Sequence, residues 1–356
     1  MKIKLLAGLS MLVGLLSCSG ENVIGGFNVD KEVVYNLAVE APDMATTRLD
    51  GDDKSGKSSA FGAIDNADET FWANNDVRYI LEVYEVGDDS NPVKQRMVNI
   101  LPQYASTNFQ FRLIPNREYR FVIFADFVAE GSTPSSDQAN IGKHHTIGST
   151  LNSINVKNDA INEEASDAYY ISTKMVVENS TQKSLVLTRP YAKLRVVATD
   201  LADLNLNRNP KAIRVTYDEV YAKEFNAVTG KILGADAAKS DIFVDSYVDD
   251  VRHNMDKHHY TLDYDAMVDA SGNHTHMTLF TDYILAKDEQ TEVHFTIEVF
   301  EDEAMTQLIK QTKFTTQIPI KRNNLTTVIG NVLTTGTSIS VDVDDNFSNE
   351  QTVTQE

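Results

Sequence analysis

The chain holds 356 residues, 42% hydrophobic and 24% charged, enough to bury a sizeable core and too many for one ordinary domain. Lys and Arg number 32 against 52 Asp and Glu, a formal charge of -20 with no basic stripe; phosphate backbones need clustered cations, so nucleic acid is excluded as a partner and anionic membrane surfaces are disfavoured. The single Cys rules out an intramolecular disulfide, a thiolate zinc cluster and a Cys-X-X-Cys redox pair, and the 17 Gly and 8 Pro rule out collagenous and low-complexity classes.

Residues 1–17 combine a basic start (Lys2, Lys4) with an apolar run from Leu5 to Leu16, and Leu15-Leu16-Ser17 leads directly into Cys18. The run is too short to span a bilayer comfortably, and a Leu three positions before a Cys, with a small residue adjoining it, has the layout of a bacterial lipoprotein signal peptide. Cys18 is therefore expected to carry a lipid anchor after residues 1–17 are removed. An ordinary secretory signal or an inert buried Cys is the alternative. Loss of Lys2 and Lys4 leaves 30 basic against 52 acidic residues, a charge of -22.

Beyond the anchor the pattern is all-β. Val33, Tyr35, Leu37 and Val39 alternate with Val34, Asn36, Ala38 and Glu40, as in a half-buried strand. Residues 41–60, with Pro42, Gly51, Gly56 and a run of Asp, Lys and Ser, break that pattern and read as an exposed linker. VRYILEVYEV from Val77 is apolar on both faces and pairs, through the turn GDDSNP, with VKQRMVNI. Phe109, Phe111 and Leu113 alternate next, then Glu118 to Phe127, a spacing that suits a β-sandwich. Residues 130–168 have no sustained period and read as an irregular crossing with at most one short helix. Strands resume at Tyr169–Val177, Leu185–Leu187, Leu194–Thr199 and Ile213–Tyr217, then at Thr275–Ile284, Thr291–Phe300, Leu308–Thr316 and Leu325–Leu333, and last at Ile339, Val341 and Val343. A domain boundary is expected near Thr188. Asp344 to Glu356 reads as a solvated tail.

Chemistry-bearing residues are few. His274-Thr275-His276 would put two imidazoles on one strand face, near His258-His259 in sequence, but no HExxH string occurs and adjacent His side chains point to opposite faces; exposed loop histidines are the plainer reading, and no metal or other cofactor is assigned. His144, His145, His253 and His294 complete the set of eight. The acidic strings at Gly51-Asp52-Asp53 and Asp342-Val343-Asp344-Asp345 lack the spaced ligands of a calcium loop, and no GxSxG, GxGxxG or Walker string appears. No enzymatic activity is expected. Trp72, the one tryptophan, is either a carbohydrate platform or, more plainly, a core or edge aromatic.

Several strings, taken in order, carry a resemblance: Phe61-Gly62-Ala63-Ile64-Asp65, Asp167-Ala168-Tyr169-Tyr170, Arg189-Pro190-Tyr191-Ala192-Lys193-Leu194, Phe225-Asn226-Ala227-Val228-Thr229-Gly230, and IPIKRNN (318–324) leading to GNVLT (330–334). With Cys18 they resemble the fimbrillin-like lipoproteins of Bacteroidales. The resemblance implies two transthyretin-like, Greek-key β-sandwich domains, here 57–188 and 189–343, after an anchor, first strand and cleavable linker over 18–56 and before a polar tail at 344–356. It also implies a cell-surface fimbrial subunit that is exported as a lipoprotein anchored to the outer membrane through Cys18, cut after an Arg and joined to other fimbrial subunits by donor-strand exchange. The adhesion ligand is unspecified.

In these terms Arg48, the one Arg between the signal peptide and Arg78, is either the processing site or a solvated loop charge. Val33, Tyr35, Leu37 and Val39 would fill a groove until cleavage releases them. Ile339, Val341 and Val343 form a candidate donor strand, or more plainly complete their own domain's sheet. The alternatives are a surface glycan-binding lipoprotein and a non-polymerising fimbrial anchor or tip subunit.

Overall fold

The computed structural model describes residues 32–39, 69–102, 106–134, 141–157, 164–178, 182–200, 212–218, 220–233, 243–244, 258–261, 277–302, 304–333, 339–345 and 350–353. In chain order these hold β1 (Val33–Val39), a four-residue helix α1 (Glu69–Trp72), β2 (Asn75–Glu85), β3 (Pro92–Pro102), β4 (Thr107–Leu113), β5 (Glu118–Ala129), β6 (His145–Ile147), β7 (Ile154–Val156), β8 (Tyr169–Val176) and β9 (Gln182–Leu185). The second half holds β10 (Tyr191–Ala198), β11 (Ala212–Tyr217), β12 (Val220–Tyr221), β13 (Glu224–Asn226), β14 (Lys231–Leu233), β15 (Phe243–Val244), β16 (His258–Thr261), β17 (Met277–Leu285), β18 (Thr291–Phe300), β19 (Leu308–Ile320), β20 (Asn324–Gly330), β21 (Ile339–Asp345) and β22 (Glu350–Val353).

The period-two strands form two sandwiches. In the first, the sheet β4-β1-β9 faces β3-β2-β5-β8 across a core that includes Tyr35, Leu37, Tyr79, Leu81, Phe109, Phe111, Phe121 and Ile123. In the second, β17-β10-β20-β21-β22 faces β16-β11-β18-β19 around Leu194, Val196, Ile213, Phe280, Phe295, Ile297 and Val328. Both are driven by apolar faces that must be covered, at roughly 25 cal/mol for each Å² removed from water.

The strand positions agree closely with the alternation in the sequence; the connections do not. Residues 130–168, expected to be irregular, contribute β6, β7 and a 3-10 turn at Glu164–Ser166. β7 pairs with β13 from the second half, giving an antiparallel sheet β14-β13-β7-β6 with strands from both halves of the chain. A third core lies there, in which Ile80, Tyr84, Val122 and Phe124 from the outer face of β2 and β5 meet Tyr191, Phe225, Val228 and Tyr283. The tail expected to be polar from Asp344 onward also differs: β21 runs to Asp345 and β22 adds an edge strand, because ladder hydrogen bonds to β20 and β21 need no apolar side chain.

Candidate functional site

The first strand fills a slot in the middle of its sheet. β1 runs antiparallel to β4, from Val33↔Leu113 to Val39↔Thr107, and parallel to β9, from Asn36↔Gln182 to Val39↔Leu185. Alternation turns Tyr35, Leu37 and Val39 inward, each 0% exposed, and Val33 packs on the same core. On the other face the Gln110 amide donates to Asn36 Oδ1 at 3.0 Å. The Tyr35 ring stacks on Phe121 with centroids 5.5 Å apart and tilts against Phe111 at 5.8 Å. Burial, and then the charge of Glu178, push its phenol pKa up.

Emptying this slot would uncover three fully buried side chains and part of a fourth, at a cost of about 5 kcal/mol or more. It would also leave the facing edges of β4 and β9 with unpaired N–H and C=O groups. Such a gap is a template for any alternating strand that can reach it.

The joint between the sandwiches is polar at its centre. Arg78 on β2 donates to both carboxylate oxygens of Asp126 on β5, at 2.7 and 2.6 Å, with both side chains fully buried. His145 Nδ1 approaches Asp126 Oδ2 at 3.5 Å, and its Nε2 lies 2.7 Å from the Tyr191 hydroxyl on β10. Burial works to raise the Asp126 pKa, but the Arg78 charge and the neighbouring His145 outweigh it and hold the carboxyl below the ordinary range. Burial pushes the His145 imidazole down, only partly offset by Asp126, so the ring is neutral at pH 7.

A second tie is Arg322, whose guanidinium donates to the Tyr170 hydroxyl at 2.8 Å, Gly230 O at 2.7 Å and Ala286 O at 3.0 Å. Arg120 and Ser172, both on the first sandwich, donate to Val228 O from the other side of the joint.

A family model described as a family of unknown function, DUF6562, matches residues 28–356. The chain belongs to this family. No curated protein matches it. Among solved structures, this DUF6562 chain is similar to a putative cell adhesion protein from Bacteroides uniformis (12% identity, TM-score 0.45, covering 89% of this chain and 99% of that one). It is also similar to a tip fimbrial protein from Porphyromonas gingivalis with a C-terminal truncation (9% identity, TM-score 0.41, 88% and 98%). A fimbrial assembly protein from Parabacteroides distasonis shows 9% identity and a TM-score of 0.39, with 91% and 99% covered.

Of the residues singled out in the sequence, Cys18 and Arg48 lie outside the described residues of this DUF6562 chain, as do His253, His274 and His276. Val33, Tyr35, Leu37 and Val39 come together as one row on the first core, the last three fully buried and Val33 partly so. The candidate donor strand sits in its own sandwich: β21 pairs with β20 from Gly330↔Ile339 through Val328↔Val341 to Thr326↔Val343, Val341 packs on the second core, and β22 covers the outer edge. In this arrangement β21 would become a donor only by leaving β20.

His145, which the sequence left without a role, is buried at the joint; its sequence neighbours carry no period that would reveal a covering element. His258 and His259 lie on β16, and among the described residues no group of three or more His, Cys, Asp or Glu is placed so that it could hold a metal ion. Trp72 follows the plainer reading. It is partly buried, T-shaped on Phe71 at 4.9 Å and tilted against Phe127 at 6.1 Å. The exposed large hydrophobic side chains among the described residues are all Val or Leu.

The sequence reading missed the joint. Its available signal was VRYILEVYEV, apolar on both faces, which calls for a cover on each side of β2.

Proposed function

We propose that this chain is a subunit of a cell-surface fimbria, exported as a lipoprotein on Cys18, cut after Arg48 and assembled with other subunits by donor-strand exchange. The observation that carries this reading is the position of β1. An N-terminal strand, followed by 29 residues (40–68) before the next described element, supplies the middle strand of a sheet. Cutting behind it would free a complete strand while sparing every strand from β2 onward. Arg48 falls within that stretch.

An open slot on one subunit filled by a strand of the next makes a head-to-tail contact that does not close on itself, so a filament is the product. We take 57–188 and 189–343 as its two structural units, with β7 and β13 pairing between them. The donor is less well defined, since Ile339, Val341 and Val343 are engaged in their own sheet. The adhesion role follows from surface display, and its ligand is open.

The test is the N-terminus and lipid status of protein recovered from cells. Assembled material starting at Leu49, and lipid label lost in Cys18→Ser, are the expected results. Lipidated Cys18 on every copy would reject polymerisation and favour the anchor role; an unchanged mature N-terminus in Arg48→Ala would reject the cleavage site.

A further inference from the structure

Three buried tyrosines outside the first strand have partners at their hydroxyls. Tyr217 donates to Asp282 Oδ2 at 2.7 Å, Tyr169 to Asp167 Oδ2 at 2.7 Å, and the Tyr191 hydroxyl meets His145. Tyr35 differs: its residue is 0% exposed, and its hydroxyl oxygen is buried with no hydrogen-bond partner among the described residues. The ring contacts to Phe111 and Phe121 would be kept by a Phe in the same place, whereas the stranded hydroxyl adds only the penalty of leaving water. This side chain sits at the middle of the strand that the exchange reading requires to leave.

We infer that the slot between β4 and β9 is matched to a strand from another subunit carrying a hydroxyl-free apolar side chain, Phe-like or Leu-like, at the register of Tyr35, and that β1 is the weaker of its two occupants. The inference rests on the exchange reading above and adds the chemistry of the incoming strand. Main-chain pairing to β4 and β9 is the same for either occupant, so the difference in affinity is set by the inward side chains. An outgoing strand with a built-in penalty gives exchange a direction without any external energy source. The alternating residues Ile339, Val341 and Val343 carry no hydroxyl and meet the requirement in kind.

The experiment uses the full uncut chain with Tyr35→Phe, and Tyr217→Phe as a contrast whose hydroxyl has an acceptor. Tyr35→Phe is expected to raise the melting temperature by about 2–4 °C and to slow amide exchange over residues 33–39 about fivefold, whereas Tyr217→Phe lowers the melting temperature. An unchanged or lowered melting temperature in Tyr35→Phe would overturn the inference. Labelled peptides EVVYNLAVE and EVVFNLAVE, added in excess to the wild-type chain, provide the second readout. Stronger displacement of β1 by the Phe peptide supports it, and equal or weaker displacement overturns it. If neither peptide displaces β1 while Tyr35→Phe is stabilised, the exchange reading fails and the preference of the slot stands.

Discussion

Leu37 of β1 sits directly across from Phe109 of β4 and beside Lys183 of β9, so one aliphatic side chain in the first strand is held by strands that lie more than 70 and 140 residues further along the chain. A strand placed centrally in this way cannot be trimmed from the sheet without opening it. The same residue therefore reports on core stability in the uncut chain and on slot occupancy after any cut.

Leu37→Ala is expected to destabilise the first sandwich by about 2–5 kcal/mol, the range for truncating a fully buried Leu. Ala38→Ser, on the opposite face, should move stability by no more than about 0.5 kcal/mol. Urea melts of the two variants check this, and equal effects would mean that the inward face of β1 is misassigned.

The Arg78–Asp126–His145 group sets a pH dependence. His145 has a folded pKa below its unfolded value of 6.5, so the unfolded chain takes up that proton first. Stability from this residue is full above about pH 6.5 and falls as pH drops below it, by at most about 1.4 kcal/mol per pH unit. Asp126, with its pKa held below 3.8, loses its contribution at still lower pH, as the folded carboxylate is finally protonated. Thermal melts between pH 7 and 5 should show a decline that His145→Gln flattens; an equal slope in the variant would place the responsible proton elsewhere.

Gly142 closes over the same group. A Cβ there would lie 2.5 Å from Arg78 Nη2 and 2.6 Å from both Asp126 Oδ2 and the His145 carbonyl oxygen. Gly142→Ala forces this buried pair to shift, with an expected loss of about 1–3 kcal/mol or more. Calorimetry of the single variant decides it, a neutral result showing that the loop can move aside.

Three of the strings that carried the family resemblance, at 189–194, 225–230 and 318–324, meet at the joint. Asn323, in the left-handed region at φ 59°, accepts from Arg189 N through its side chain at 3.0 Å and donates its own N–H to Tyr191 O at 2.7 Å, so the RPYAKL and IPIKRNN strings touch. Val228 and Gly230 of the FNAVTG string accept from Arg120 and Arg322. The sandwich strands were legible because a two-sided sheet imposes period two on its residues, to the exact ends of β1 in the clearest case. The joint was not. Its strands are three residues long, too short for any period, and its charges are paired between β2 and β5, 48 residues apart. Cross-chain pairing of that kind leaves no local trace. The end of β21 and all of β22 were missed for another reason, since their stabilisation is main-chain pairing at an edge.

Arg322 follows from the same geometry. Its planar fork reaches three oxygens on three separate segments, which a Lys ammonium on a flexible stem cannot match. Arg322→Lys should cost about 2 kcal/mol or more and increase proteolysis between the sandwiches while leaving amide protection of β1 unchanged. Loss of protection in β1 would mean that the slot and the joint are coupled.

Deletion of residues 337–356 separates an internal strand from a donated one. β21 pairs with β20 over seven residues and carries Val341 onto the second core, and β22 shields its outer edge. Removing both would bare the whole of β20, whose Leu325, Thr326, Thr327 and Val328 are buried, and leave an unpaired edge beside β10. The expected outcome is a second sandwich that melts well below the intact one, with β1 and the first sandwich retaining their amide protection. That result would assign 339–345 to its own sheet and send the search for the donor elsewhere. A folded, soluble monomer of undiminished melting temperature that fails to polymerise would be the opposite result, and would show that β20 tolerates the loss because its partner strand belongs, in the filament, to the neighbour's slot.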